Sequence, residues 1–293
     1  MCGKSPHHRL CRSKEGLFLL IFQAGSAEMT ASKNKIRNAK AIILSIVFGS
    51  IIFAFPAADS ASVLQTEELL LGDEVKISGK KLMTQSPGFT RIHDDSAYEL
   101  RTVVIGVHGT KSQGYEWVES LKKLAQEYRH TYFYRYDWDV CPDSSAQRLA
   151  RDLVTLTGQV PGVNSIILFG HSFGGLVVSY LSEQVHINIP VQIHTVASPL
   201  KGYASLNKRC ELNKRRDGSL KFPPWDDNIS HFQWRTHHKL DNKFNRMKQD
   251  PQALDLYDSE VTLLPETMNG RRLGHNWSVT WVIDEYLRIP HKP

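Results

Sequence analysis

The 293-residue sequence predicts an α/β fold: a mostly parallel central sheet with helices on both faces and a small cap or lid insertion. Three observations predict it. From about residue 98 onward, short β-branched runs alternate with amphipathic stretches of helical length, the pattern of strand–helix–strand units. The apolar run over residues 165–169 ends in Gly170-His171-Ser172-Phe173-Gly174, and an apolar, helix-compatible segment follows, so a buried strand turns sharply into a helix. No repeat, low-complexity tract or Pro/Gly/Ser-rich linker divides the chain after about residue 62, which favours one domain.

Read in order, the chain opens on a segment outside that fold. Lys33, Lys35, Arg37 and Lys40 precede an uncharged apolar run over residues 41–55, followed by small residues to Ser62. A basic region, an apolar stretch and then small residues form the anatomy of a secretory signal, with Ala58 and Ser60 placing cleavage after Ser60. The run is also near the length that spans a bilayer, so a membrane anchor through residues 41–58 stays open, with the following domain outside. Met29 lies just upstream, so residues 1–28 are expected to be an upstream extension and 29–60 the signal or anchor. Removing that leader takes away Cys2 and Cys11 and leaves Cys141 and Cys210. In an exported domain such a pair invites a disulfide; two free thiols are the alternative.

Residues 61–97 are polar and mixed, with a strand pair expected near 74–77 and 90–93. The domain proper is expected over 98–293. Residues 101–107 (Arg-Thr-Val-Val-Ile-Gly-Val) read as a buried strand leading into His108-Gly109-Thr110, then a helix over 114–128. An aromatic-rich strand follows at 131–137. A helix over 144–157 carries Ala146, Leu149, Leu153 and Leu156 on one face. Strands at 191–197, 231–236 and 261–264 complete the sheet. A helix over 276–288 closes the chain, with Trp277, Trp281, Val282 or Ile283, and Leu287 available for packing. Residues 203–227 break the pattern and form the expected cap. There Leu206, Leu220, Phe222, Pro223, Pro224 and Trp225 are candidates to line an acyl pocket. Lys208, Arg209, Lys214, Arg215 and Arg216 are candidates to face an anionic membrane surface, or simply to form a solvated loop.

The chemistry centres on Ser172. Flanking Gly170 and Gly174 stand where a Cβ would collide as the chain reverses. A serine hydroxyl needs a base, and the base needs a carboxylate to orient it. On the predicted fold the chain order should be serine, then Asp or Glu, then histidine. His275, in Gly274-His275-Asn276 before the last helix, is the expected base. Asp241, a few residues past the 231–236 strand, is the expected acid, with Asp250 and Asp255 next and Asp226, Asp227, Asp258 and Glu260 also competing. His171 is expected to pack in the turn rather than move protons. The backbone N–H groups of Phe173 and Thr110 are the expected donors to a developing oxyanion.

These segments resemble the α/β-hydrolase superfamily, on its lipase and esterase side. The resemblance spans about residues 98–290 and rests on Val107-His108-Gly109, the Gly170–Gly175 turn, Ala197-Ser198-Pro199-Leu200-Lys201-Gly202 and Gly274-His275. It implies an α/β-hydrolase fold and a triad of Ser172, an acid and His275, acting on a small-molecule or lipid ester. The acid position lacks a distinctive motif. A thioesterase, acyltransferase or peptidase on the same groups, or a non-catalytic binding protein on that scaffold, are the alternatives. No metal-ligand spacing or dinucleotide or phosphate-loop pattern suggests a cofactor. The net charge of +6 comes without an aromatic-basic stripe, so nucleic acid is not an expected partner.

Overall fold

Continuous β-branched and aromatic runs are stable as strands only where both faces of a sheet are covered, and that is where they lie. The computed structural model describes residues 61–181 and 188–289. The expected upstream extension, signal segment and anchor fall outside the described residues. The described residues form an eight-stranded sheet ordered β1-β2-β4-β3-β5-β6-β7-β8. Its strands are β1 (Ser62–Gln65), β2 (Gly88–His93), β3 (Glu99–Val107), β4 (Tyr128–Arg135), β5 (Ser165–His171), β6 (Val191–Val196), β7 (Ile229–Arg235) and β8 (Ser259–Leu263). Strands β4, β3, β5, β6, β7 and β8 run parallel; β2 is antiparallel to β4, and β1 is parallel to β2.

Helices cover both faces, as the alternating pattern predicts. On one face α3 (Pro142–Gln159) and α4 (Phe173–Ser179) bury Leu149, Leu153, Leu176 and Val177 against Val103, Ile105, Ile166 and Leu168. On the other, α1 (Val75–Met83), α2 (Tyr115–Glu127) and α6 (Trp277–Arg288) bury Leu82, Trp117, Leu121, Leu124 and Val282 against Val104, Ile167 and Phe169. Each fully buried leucine contributes roughly 2 kcal/mol of apolar burial.

Three expectations change. Residues 74–77 do not form a strand: Val75 and Ile77 alternate over too short a stretch, and Ser78, Gly79 and Leu82 recur at helical spacing on the buried face of α1. In α6 the buried face is Val279, Val282, Ile283 and Tyr286, while Trp277 is left half exposed. In the cap, Leu220 and Phe222 belong to the core and Trp225 stacks on His231 with ring centroids 4.2 Å apart. Pro223 and Pro224 line a separate small cavity beside Tyr180. Of the six apolar cap residues, only Leu206 reaches the cavity beside Ser172.

The cap's short helix α5 (Ala204–Arg209) is tied down covalently. Cys210, its C-cap, is bonded to Cys141, the N-cap of α3, with Cα atoms 5.7 Å apart. The bridge holds Arg209 over the Phe173 ring, 5.6 Å from its centroid, with its guanidinium 3.5 Å from Asp139. The linked cysteines are 69 residues apart, and a loop of that length removes roughly 4 kcal/mol of chain entropy from the unfolded state. The double variant Cys141→Ser/Cys210→Ser should therefore unfold at lower urea, with stability reduced by roughly 2–4 kcal/mol. An unchanged denaturation midpoint would count against this role for the bridge.

Candidate active site

The turn that carries Ser172 is built from backbone collisions. Ser172 has φ 54° and ψ −119°, a left-handed conformation that costs a side chain roughly 1–3 kcal/mol. The surroundings hold it there: the Ser172 N–H donates to Val196 O at 2.8 Å, and the Gly175 N–H to Ser172 O at 3.0 Å. A Cβ on Gly174 would stand 2.3 Å from Val107 O, and one on Gly170 would stand 2.6 Å from Gly174 O. Both positions thus exclude a side chain where β5 folds back as α4. The result projects Ser172 into a cavity of about 570 Å³ at the carboxyl ends of β3, β5 and β6.

Across that cavity stands His275, between β10 (Arg271–Arg272, paired with β9, Thr267–Met268) and α6. It is only 4% exposed, and its position is fixed on several sides. Its Nδ1–H donates to Asp241 Oδ2 at 2.9 Å. Its carbonyl accepts from His171 Nε2 at 3.0 Å and from Ser278 Oγ at 2.5 Å. The Phe244 ring meets the imidazole edge-on, with centroids 5.0 Å apart. His171 thus braces the histidine loop, buried among apolar groups. Burial, with His275 beside it, drives its imidazole well below the usual histidine range, so it stays neutral.

Asp241 has no exposed surface. Burial alone pushes its carboxyl up, but hydrogen bonds from His275, from Thr236 Oγ1 at 2.6 Å and from the Lys243 N–H at 2.8 Å bring it below the ordinary carboxylate value. Gln252 supports Thr236 in turn, its Oε1 accepting the Thr236 N–H at 3.0 Å. Neither Thr236 nor Gln252 was identified from the sequence. A threonine at the end of β7, five residues before the acid, is the only local sign. The competing carboxylates serve elsewhere: Asp255 pairs with Arg235 at 2.8 Å, and Asp250 accepts from the Gln252 N–H at 2.9 Å.

The loop after β3 closes the site. A Cβ on Gly109 would lie 2.9 Å from Ser172 Cβ, so glycine lets this loop approach the serine. Thr110 and Phe173 line the same cavity. Phe173 is the first residue of α4, where backbone N–H groups have no acceptor within the helix. His108 braces the loop from below: its Nε2 accepts the Tyr136 N–H at 3.3 Å, and its Nδ1–H donates to Gly109 O at 2.9 Å. The structure therefore brings Ser172, His275, Thr110 and Phe173 to one cavity, with Asp241 behind the histidine.

The mostly parallel sheet covered by helices and the strained serine at the turn between β5 and α4 are those of the α/β-hydrolase fold. No protein-family model and no curated protein matches the chain. Among solved structures it is similar to the mature form of Bacillus licheniformis lipase BlEst2, at 15% identity over 69% of this chain and 99% of that one, with a TM-score of 0.45. It is also similar to Est1E from Butyrivibrio proteoclasticus, at 12% identity over 67% and 90% of the two chains, with a TM-score of 0.40. Zea mays acyl-protein thioesterase 2 is similar at 12% identity over 69% and 98%, with a TM-score of 0.39.

The buried imidazoles set a dependence of stability on pH. Burial lowers His108 from 6.5 to about 4 and His231 from 6.5 to about 3. Below pH 6.5 the unfolded chain binds protons that the folded chain refuses, so stability falls as pH drops toward those folded values. The melting temperature should decline steadily between pH 6.5 and pH 4, by an amount worth a few kcal/mol, and His231→Gln should lessen the decline. A melting temperature flat across that window would contradict the buried neutral imidazoles.

Proposed function

We propose that this α/β-hydrolase-fold protein is a serine hydrolase that cleaves carboxylic esters through an acyl-enzyme on Ser172. The observation that carries this reading is the buried Asp241–His275 hydrogen bond facing an elbow serine across one cavity. With the Nδ1 proton committed to Asp241, Nε2 is the basic nitrogen of His275. It takes the Ser172 proton as Oγ attacks the ester carbonyl carbon. The oxygen gains negative charge and is met by the N–H groups of Phe173 and Thr110. As the intermediate collapses, His275 gives the proton to the leaving alkoxide. Water then repeats the sequence on the acyl-enzyme, releasing the acid and restoring Ser172.

Asp241 is a positioning group: it fixes the tautomer of His275 and offsets the charge of the transient imidazolium. A fluorophosphonate probe should label the wild-type protein at Ser172 and leave Ser172→Ala unlabelled. Asp241→Asn should lower kcat by about 10⁴-fold on p-nitrophenyl esters. Label on Ser172→Ala, or near-normal turnover in Asp241→Asn, would defeat the assignment.

We also infer that the protein is exported. The basic, apolar and small-residue pattern over residues 33–62 supports this reading, as does the Cys141–Cys210 disulfide, a bond that persists in oxidising compartments. No helix among the described residues is long and apolar enough to cross a membrane. N-terminal sequencing of the mature protein should read Ala61-Ser62-Val63. A mature chain that still begins at Met29 or upstream would contradict cleavage after Ser60.

A further inference from the structure

The cavity presents different chemistry on the two flanks of Ser172, and the sheet order accounts for the split. Strand β5 lies between β3 and β6, so the loop after β3 walls one flank and the cap after β6 walls the other. The cap flank carries Pro199, Tyr203 and Leu206, with Phe173 and Met247 beside them and Ser205 nearby, and its two charged groups, Arg209 and Asp139, are paired with each other. The β3 flank is polar: Thr110, Ser112, Tyr115 and Glu116, joined by Lys243 and Asn276. Asn276 Nδ2 donates to Tyr115 Oη at 2.6 Å, which links the polar flank to the residue after His275.

Glu116 is the unexplained member. It is 93% buried, at 7% exposure, in the first turn of α2. Its helix-end role is met by Oε1, which accepts from Ser112 Oγ, while Ser112 Oγ in turn accepts the Gly114 N–H at 3.0 Å. Its Oε2 is buried with no hydrogen-bond partner in any other described residue, and so is Thr110 Oγ1 on the same flank; the one backbone donor to the carboxylate is the Glu116 N–H itself. A buried oxygen left unmatched is costly, and the cost is offset when a bound group supplies the donor.

The chemistry of that bound group follows from the groups that surround it. Lys111 and Lys243 line the same flank and disfavour a cation. A carboxylate or a fully ionised phosphate has no proton for Oε2. A hydroxyl can donate to Glu116 Oε2 and accept from Lys243 or Asn276. Position decides which half of the ester carries it. Asn276 adjoins His275, which protonates the departing oxygen, so the polar flank faces the alcohol and the apolar cap flank faces the acyl chain. Burial raises the Glu116 carboxyl above the ordinary glutamate value, against the opposing pull of hydrogen bonds from Ser112 and its own backbone N–H and of nearby His275 and Lys243.

We propose that the β3 flank is a subsite for a polyhydroxylated leaving alcohol, such as glycerol or a sugar, with Glu116 Oε2 accepting one of its hydroxyls. The proposal rests on the serine-hydrolase reading and names the substrate class of that same site.

The test compares glycerol monobutyrate with propyl butyrate, which share an acyl group and differ only by two hydroxyls on the leaving alcohol. Wild type should favour the glycerol ester by about ten-fold or more in kcat/KM. Glu116→Leu should bring that ratio to within about two-fold of unity, while Glu116→Gln, which keeps an accepting oxygen, should retain a ratio above about three. If Glu116→Leu does not fold, Asn276→Ala replaces it and should reduce the ratio as well. A wild-type ratio near one, or an undiminished ratio in the substituted enzyme, would overturn the subsite. So would an ester with a phosphate on its leaving alcohol that exceeded the glycerol ester ten-fold. Fluorophosphonate titration of every sample separates the failures. An adduct at Ser172 with a ratio near one defeats the subsite alone, whereas no adduct and no turnover of either ester defeats the hydrolase reading.

Discussion

A carboxylate with no exposed surface stays ionised at Asp241 only because three donors converge on it. Removing one donor from such a buried carboxylate costs about 1–3 kcal/mol or more, so the hydrogen-bonded group constrains its neighbourhood as packing does in an apolar core. The constraint reaches outward. Thr236 at the end of β7 and Gln252 hold the carboxylate, and the carboxylate holds the His275 ring. His171 and Ser278 hold the loop that carries the ring. A histidine so fixed has one ring nitrogen committed to the carboxylate, and in the proposed reaction the other is the base.

The second constraint is steric and lies at Ser172. Gly170 and Gly174 let β5 and α4 approach closely enough that the serine between them has no relaxed conformation, and the hydrogen bond to β6 prevents its escape. The parallel strands bring the loops after β3, β5, β6 and β7 to one edge of the sheet, so residues distant in sequence meet there. The disulfide fixes the cap by joining it to α3. Rigid strands and mutually braced loops thus hold the proposed catalytic groups in place before any substrate arrives.

Much of this was legible in the chain because central parallel strands read as continuous apolar runs. Strands β3, β5 and β6 and the turn at Ser172 could be placed from composition and spacing alone. The edge was harder to read. Strand β1 has four residues, and α1 carries a Val75–Ile77 alternation that imitates a strand until Leu82 is counted. Asp241 stood out from Asp250 and Asp255 only by position in the chain. What separates them in space is burial, together with a threonine and a glutamine brought in from beyond the loop. The cap's apolar residues were visible, but composition does not say which way they face, and most of them face the core. Glu116 gave no signal at all, since an acid in the first turn of a helix is ordinary.

A crystal structure of the protein after reaction with a phosphonate ester tests the central claim most directly. The account predicts a covalent bond from phosphorus to Ser172 Oγ. It also places a phosphonyl oxygen within about 3.1 Å of the Phe173 and Thr110 backbone nitrogens, with His275 still bonded through Nδ1 to Asp241. Phosphorus attached elsewhere, or an imidazole swung away from Asp241 and from the adduct, would contradict it.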